Sequence, residues 1–142
     1  MKAIFLDVDG VLNSSHDGFN IQLETSKHIE LLKQIVDETD AKIVLSSSWR
    51  INDKTKLFVK NKLNEYGMIL IGSTPDLGGS RGEEIKKWLS EAAYPIEGFV
   101  ILDDDSDMEE YTHGKLVKTD SNIGLQETDV NKAIKILNEP IA

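Results

Sequence analysis

The sequence predicts an α/β fold of three layers, in which a Rossmann-like, mostly parallel sheet of five strands lies between helices on both faces. Short apolar runs alternate along the chain with stretches of helical periodicity, as βαβ crossovers require. The apolar runs are continuous, which is typical of strands buried on both faces. A chain of 142 residues supports one hydrophobic core and not two. We therefore predict a single domain over residues 1–142.

Five runs have the apolar composition of strands. The first four are clear, and the fifth is weaker. In chain order they cover residues 3–6, 42–45, 68–71, 99–102 and 116–117. The carboxyl ends of parallel strands meet at one edge of the sheet, and α/β proteins bind ligands beyond that edge. The residues that follow each strand are therefore the candidates for a functional site.

Four stretches between and after the strands carry apolar residues on one helical face. Each starts near a residue that can begin a helix. In chain order these start signals are Thr25 or Ser26, Asp53, the pair Arg81-Gly82 and the pair Thr128-Asp129. Gly67 is predicted to end the second helix. Residues 72–80 form the longest segment without a predicted element, and such loops in compact domains are often functional.

The composition excludes several classes of function. The 25 Asp and Glu residues exceed the 16 Lys and Arg residues, and the net charge of -9 disfavours a general nucleic-acid coat protein. Cysteine is absent, which excludes disulfides, thiolate nucleophiles, cysteine-bound zinc and iron–sulfur clusters. The apolar run before Asp7 is too short for a signal peptide, and no other segment approaches a membrane span. The expected compartment is the cytoplasm.

Polar side chains follow three of the predicted strands. Asp7 and Asp9 follow the first strand, Ser46 follows the second, and Asp103 and Asp104 follow the fourth. Carboxylates that share a site repel one another, so either some bind protons or a cation compensates their charge. A cluster of oxygen ligands alone suits a hard cation, and Mg2+ fits it better than zinc. A divalent cation beside a hydroxyl and a basic side chain is suited to phosphoryl chemistry.

The segment Asp-Val-Asp-Gly-Val-Leu at residues 7–12 resembles the first motif, D-x-D-G-[TV]-[LV], of the haloacid dehalogenase (HAD) superfamily of phosphohydrolases. The other motifs follow in the family's order: a Ser closing the second strand, a basic residue at a helix start and an acidic pair closing the fourth strand. Residues 43–50 and 116–120 are similar to one branch of small HAD domains, including some attached to RNA-repair proteins.

The resemblance implies a phosphatase that acts through an aspartyl-phosphate. Asp7 would be the nucleophile, and Asp9 would be the general acid and then the general base. Their i, i+2 spacing places both carboxylates on one side of a chain that leaves a strand. The implied substrates are phosphate monoesters, with nucleotides and polynucleotide ends as candidates.

The resemblance also implies how phosphate and metal are bound. Ser46, with Ser47 beside it, would bind a phosphate oxygen, while Ser47 or Ser48 is also expected to cap the next helix. Asp104 and Asp103 would hold Mg2+ together with Asp7 and the backbone carbonyl of Asp9, and the residues do not decide which of the acidic pair is the main ligand.

Three residues compete for the third motif, the basic residue at a helix start. We favour Arg81 for phosphate binding because it directly precedes a predicted helix. Lys86 and Lys87 are the alternatives, and the apolar face of that helix predicts that both point to solvent.

No segment is long enough for the cap domain that many HAD phosphatases carry. The first insertion point, between Asn13 and about Thr25, holds only a short segment, and the second, after Arg50, is used by an ordinary helix and strand. Capless members of the superfamily tend to have open sites and large substrates, such as polynucleotide ends.

Two other functions remain compatible with these residues. A two-component receiver domain is also a small α/β sheet with an acidic pocket, Mg2+ and a phosphorylated aspartate. Receivers carry that aspartate on a later strand and a lysine after the fifth, where Lys118 is the only counterpart. A phosphate-binding module without catalysis is the other alternative, and Asp9 argues against it because binding needs no acid or base.

Overall fold

The predicted α/β architecture is confirmed by the computed structural model, which describes residues 1–19, 26–111 and 113–139. Five strands form one sheet in the order β3-β2-β1-β4-β5, and every neighbouring pair is parallel. The strands are β1 (Lys2–Leu6), β2 (Lys42–Leu45), β3 (Leu70–Ser73), β4 (Gly98–Asp103) and β5 (Leu116–Lys118). The central strand β1 therefore ends in the middle of the edge where ligands bind in α/β folds.

The described part of the chain also contains four α-helices and three short 3-10 turns, which connect the strands except for the last helix, after β5. The helices are α1 (Ser26–Thr39), α2 (Asp53–Glu65), α3 (Arg81–Glu91) and α4 (Glu127–Leu137). The 3-10 turns cover Ser15–Asp17, Ser48–Arg50 and Glu109–Tyr111. No helix among the described residues is long and apolar enough to cross a membrane.

The two faces of the sheet are covered unequally. On one face, α1, α2 and α4 contribute Leu32, Leu63 and Ala133 to a large core built on Ile4 and Leu45. The opposite face is covered by α3 and the 3-10 turn near Tyr111, and its smaller core includes the side chains Phe5, Val44, Ile85 and Ile101. Side chains alternate along each strand, so every second residue of β1, β2 and β4 faces α3.

The predicted third strand is displaced by two residues from the observed one. Met68, predicted as its first residue, belongs instead to the end of α2. Gly67 has a φ of +77°, and the Met68 N–H donates to the Leu63 carbonyl, as in a helix C-cap. Met68 is apolar because it is buried in the core, not because it is in a strand. Gly72 and Ser73, predicted as loop, pair with β2, so the irregular segment is residues 74–80.

The helix caps differ from prediction by small shifts. Asn52, not Asp53, caps α2, and its side chain accepts from the Lys54 N–H. Gln126 precedes α4, and the Gln126 N–H donates to the Asp129 carboxylate, so this helix starts before the predicted pair. Ser80 caps α3. Thr25 lies outside the described residues. Asp and Asn are near-equivalent capping residues, which is why sequence alone places the start within a residue or two.

Candidate active site

A row of polar side chains lies at the carboxyl edge of the sheet on the face covered by α3. Asp7 lies two residues beyond Phe5, Ser46 two beyond Val44, and Asp103 two beyond Ile101, and each of those core residues faces α3. Strand alternation therefore turns all three polar side chains toward the same helix. All three residues are buried.

Arg81 is the first residue of α3 and joins the two buried carboxylates of this row. One guanidinium nitrogen, NH1, lies 3.1 Å from Oδ2 of Asp7 and 2.6 Å from Oδ2 of Asp103. The Asp103 carboxylate also accepts from the Asp105 N–H at 3.0 Å. The two competing lysines lie elsewhere: Lys86 pairs with Glu110 and Lys87 with Glu91, and both are exposed.

One guanidinium does not compensate the acidic side chains around it. Burial raises the pKa of Asp7 from 3.8 to about 8, and the charge of Asp103 adds to this shift while Arg81 opposes it. Burial likewise raises the pKa of Asp103 to about 6, against the influence of Arg81. Without a further positive charge, Asp7 therefore binds a proton near neutral pH, whereas a nucleophilic carboxylate must be ionised.

Three carboxylates form a group that fits a divalent cation. Asp7, Asp103 and Asp104 each offer an oxygen, and these atoms all lie within 4.8 Å of one another. The set contains only oxygen donors, which hard cations such as Mg2+ prefer. A cation at this position would supply the positive charge that the raised pKa values of Asp7 and Asp103 call for.

We expect the thermal stability of the metal-free protein to fall as the pH rises from 3.8 to about 8. The folded state holds a proton on Asp7 more tightly than the unfolded chain does, so the unfolded state binds fewer protons in this interval and stability decreases with pH. Added Mg2+ should raise the Tm most at the upper end of the interval, because a metal ligand must be deprotonated. Thermal denaturation with chelator and with Mg2+ tests this, and a pH profile of Asp7→Asn equal in slope to the wild type would contradict it.

The turn after Asp7 requires a glycine for two reasons. Gly10 has a φ of +83°, where side chains are rarely tolerated. A Cβ at this position would also lie 2.6 Å from Cγ of Asp104, so the absence of a side chain lets that carboxylate approach the backbone. Asn13 and Thr119 secure the turn: Oδ1 of Asn13 accepts from the Gly10 N–H at 2.9 Å, and the Thr119 hydroxyl donates to the Gly10 carbonyl at 2.7 Å.

Asp9 is held by two donors from different loops. Nδ2 of Asn13 donates to Oδ1 at 2.9 Å, and Nε1 of Trp49 donates to Oδ2 at 3.1 Å. Trp49 belongs to the 3-10 turn directly after Ser46 and Ser47. The Asp9 carboxylate is therefore directed toward the loop that follows β2.

The two predicted phosphate-binding serines have different surroundings. The Ser46 hydroxyl is buried and makes no hydrogen bond within the described residues. A buried hydroxyl without a partner is rare in proteins, and a phosphate oxygen would supply one. The Ser47 hydroxyl instead accepts from the Trp49 N–H at 3.1 Å and caps the 3-10 turn. Of the two, Ser46 is therefore the serine whose buried hydroxyl lacks any partner among the described residues, whereas the Ser47 hydroxyl already accepts a bond and keeps its proton to donate.

Thr74 extends the polar row to β3, which sequence reasoning did not anticipate. Its N–H donates to the Leu45 carbonyl, which places it beside Ser46, and its hydroxyl is also buried without a partner in the described part of the chain. Its strand neighbour Gly72 lies against Trp88 of α3, so alternation turns Thr74 to the same face.

A buried ion pair connects the loops that carry the site. NH2 of Arg50 lies 2.9 Å from Oε1 of Glu84, and the two side chains are 7% and 5% exposed. Arg50 also donates to the carbonyls of Ser47 at 2.8 Å and Thr74 at 2.9 Å, while Oε2 of Glu84 accepts from the Leu77 N–H at 3.0 Å. Glu84 lies one turn beyond Arg81 on α3, so this pair fixes the start of that helix relative to the loop after β2.

Sequence reasoning did not assign several of these residues to the site: Asn13, Trp49, Arg50, Thr74, Glu84 and Thr119. Two of them have a positional signal: Asn13 directly follows the motif at residues 7–12, and Arg50 directly follows the Ser-Ser-Ser-Trp segment. The Trp49 ring packs against Phe58 at the border of the core, and its indole N–H nevertheless reaches Asp9.

Comparison with known protein families identifies the family of this chain. A family model described as the HAD domain in Swiss Army Knife RNA repair proteins matches residues 3–130. The chain belongs to this family. Membership of the HAD superfamily, inferred above from the motif at residues 7–12, is thereby confirmed, and the superfamily is one of hydrolases and phosphatases. Separate searches of curated proteins and of solved structures found no match.

Proposed function

We propose that this HAD domain is a Mg2+-dependent phosphomonoesterase that acts through an aspartyl-phosphate on Asp7. The observation that carries the proposal is the junction of Asp7 with Arg81 and Asp103, beside Asp104, at the end of the central strand. It combines a nucleophile, a cation fixed at a helix start and an acidic group with the donors that Mg2+ prefers.

The reaction proceeds in two displacements at phosphorus. A carboxylate oxygen of Asp7 attacks, the bond from phosphorus to the ester oxygen breaks, and that oxygen keeps the electron pair and takes a proton from Asp9. Water then attacks the aspartyl-phosphate and gives one proton to Asp9. The bond between phosphorus and Asp7 breaks with its electrons on the carboxylate, so phosphate leaves and both aspartates return to their starting states.

The remaining residues bind and orient the phosphoryl group. Arg81 holds Asp7 and lies where it can neutralise the oxygens of the group under transfer. Ser46 donates its hydroxyl to a phosphate oxygen, which gives that buried group its hydrogen bond. Asp7, Asp103 and Asp104 would hold Mg2+, which when bound supplies charge to the phosphate oxygens and keeps Asp7 ionised.

The proposed substrates are the terminal phosphates of polynucleotides, with nucleotides as the smaller alternative. Two observations support this class. The family is that of HAD domains in RNA repair proteins. Further, the described part between β1 and α1 holds a single 3-10 turn, and α2 follows β2 after another, so we infer one domain with no cap over the site.

The cytoplasm as the compartment of the protein stays a prediction from the sequence.

The proposal is tested by measuring phosphate release from 4-nitrophenyl phosphate with Mg2+ and with a chelator. We expect turnover only with Mg2+. The substrate class is tested with nucleoside monophosphates, phosphopeptides, and oligonucleotides phosphorylated at either end. Stable phosphorylation of Asp7 without turnover would favour the receiver-like switch instead. Phosphate binding without hydrolysis of any ester would favour the binding module.

Replacing Ser46 by alanine should separate ligand binding from stability. The variant loses a buried hydroxyl that has no partner in the described chain, so we expect its free energy of unfolding to equal or exceed that of the wild type. Inhibition by inorganic phosphate should weaken on the order of tenfold, the factor for one hydrogen bond to a charged group. A matched control is Thr39→Val, which removes a buried bond to the Ile35 carbonyl, since its hydroxyl lies on α1 away from the proposed site. The control should lose stability and keep phosphate inhibition.

A further inference from the structure

We propose that Trp49 is a positioning residue for proton transfer, and that its indole N–H holds the Asp9 carboxylate in line with the leaving group of the substrate. This inference rests on the proposed function, in which Asp9 is the acid and base. Its basis is the hydrogen bond of 3.1 Å between Nε1 of Trp49 and Oδ2 of Asp9, which bridges the loops after β1 and β2.

Besides its bond to Asp9, Trp49 is held by three contacts, two of its backbone and one of its ring. The backbone N–H of Trp49 donates to the Ser47 hydroxyl at 3.1 Å, and its carbonyl accepts from the Thr55 hydroxyl at 2.5 Å. The ring packs against Phe58 of α2, with 6.4 Å between ring centroids. A donor that is held by backbone and ring contacts offers its N–H in one direction, so it can orient a carboxylate at little further entropic cost.

Asp9 needs such a partner because of where it lies. It follows β1 by three residues in a turn, outside the regular pairing of the sheet, and its side chain has two rotatable bonds, Cα–Cβ and Cβ–Cγ. Nδ2 of Asn13 holds one oxygen from within the same turn. The bond from Trp49 fixes the second oxygen from the loop that carries Ser46. The plane of the carboxylate is thereby set relative to the loop proposed to bind phosphate.

This arrangement has a chemical consequence that a packing role does not have. Phosphoryl transfer to Asp7 requires a proton on the ester oxygen only when the leaving group is a strong base. Misorientation of Asp9 therefore slows esters of basic leaving groups more than esters whose leaving group departs as a stable anion. Loss of packing alone would lower the fraction of folded enzyme and slow all esters by the same factor.

The experiment compares Trp49→Phe with the wild type on two aryl esters of similar size. Phenyl phosphate has the more basic leaving group, and 4-nitrophenyl phosphate releases a stable phenolate. We expect kcat/KM of the variant to fall on the order of tenfold for phenyl phosphate, the factor for one hydrogen bond to a charged group, and by less than about twofold for the nitrophenyl ester. Trp88→Phe is the matched control, since Trp88 lies on α3 against Phe5 and should keep the wild-type ratio of the two esters.

The outcomes separate this inference from the function beneath it. Equal losses on both esters in Trp49→Phe, or no loss on either, would overturn the inference while leaving the phosphatase intact. A wild-type protein that hydrolyses neither ester with Mg2+ would overturn the proposed function and the inference together. Asp9→Asn measured on the same esters gives the upper limit of the selective loss.

A spectroscopic measurement checks the hydrogen bond without activity. The chain has 2 tryptophans, so Trp88→Phe leaves Trp49 as the source of the indole N–H resonance in a nitrogen-15 spectrum. We expect that resonance to shift upfield and to exchange faster with solvent when Asp9→Ala is added. An unchanged resonance would mean that the indole does not bind Asp9, and the inference would be wrong.

Discussion

Asp7→Asn should abolish phosphate release from every ester, with kcat falling by at least about 10³-fold, the scale of losses on removal of a catalytic nucleophile. Asparagine has the shape of aspartate and keeps a hydrogen-bond acceptor for Arg81, which binds Oδ2 at 3.1 Å. However, it has no anionic oxygen to attack phosphorus, and its amide oxygen is a weaker ligand for the metal than a carboxylate oxygen. The expected loss is therefore chemical and not structural.

The free energy of unfolding of Asp7→Asn shows whether the loss of activity comes from the chemistry or from misfolding. Burial raises the pKa of Asp7 to about 8, so a neutral side chain at this position suits the metal-free fold at neutral pH. We expect the free energy of unfolding of Asp7→Asn in chelator to be at least that of the wild type, and the stabilisation by Mg2+ to be reduced. Phosphate release at the wild-type rate by a homogeneous preparation of the variant would remove Asp7 from the mechanism.

Breaking the ion pair between Arg50 and Glu84 should lower the free energy of unfolding by about 3–5 kcal/mol, the range for a buried pair that loses one partner. Both side chains are almost fully buried, and NH2 of Arg50 lies 2.9 Å from Oε1 of Glu84. Arg50→Met leaves the Glu84 carboxylate in the interior with the Leu77 N–H as its remaining described partner. Urea denaturation measures this loss.

The double variant Arg50→Met with Glu84→Leu tests whether the pair itself causes the loss. Removing both charges leaves no unpaired ion, so the double variant should be more stable than Arg50→Met alone. It should nevertheless be less active than the wild type, because Arg50 also binds the carbonyls of Ser47 and Thr74 in the loops of the site. Lys87→Met serves as the control on α3, since its pair with Glu91 is exposed, and its midpoint should not change. If the double variant were no more stable than Arg50→Met, the pair would not be the cause.

The strands could be predicted almost completely because their signal is local. Each buried strand is a short apolar run, and residues 42–45 were located to the residue. The error at β3 has a physical cause. A C-cap and a strand both place a buried apolar residue at Met68, and only the backbone hydrogen bonds distinguish them. The glycine at position 72 weakened the strand signal at the other end.

The acidic residues of the site could be located from the sequence because parallel strands bring their carboxyl ends together. Asp7 directly follows β1 and Asp103 ends the neighbouring β4, with Leu6 and Leu102 in register, so their proximity follows from topology. Arg81 lies on a helix, and its contact with both carboxylates depends on how α3 is seated on the sheet.

The residues that sequence reasoning missed act through contacts between segments far apart in the chain. Arg50 forms an ion pair with Glu84, and Trp49 donates a hydrogen bond to Asp9. The partners are so far apart in the sequence that no periodic pattern links them. A charged residue in a loop predicts solvent exposure, and Arg50 violates this because its partner comes from another element. Such pairs become visible only when the crossovers are placed in space.

The unequal covering of the sheet bears on how activity can be lost. Three helices protect one face, whereas the described part of the other face depends on α3 and a single short turn. Helix α3 also carries Arg81 and Glu84, so the layer with the fewest supports is the one that completes the site. Local unfolding of α3 would take the Arg81 guanidinium away from Asp7, while β1, β2 and β4 stay paired. We therefore expect the proposed activity to be lost through a sub-global opening of α3, before the sheet itself unfolds.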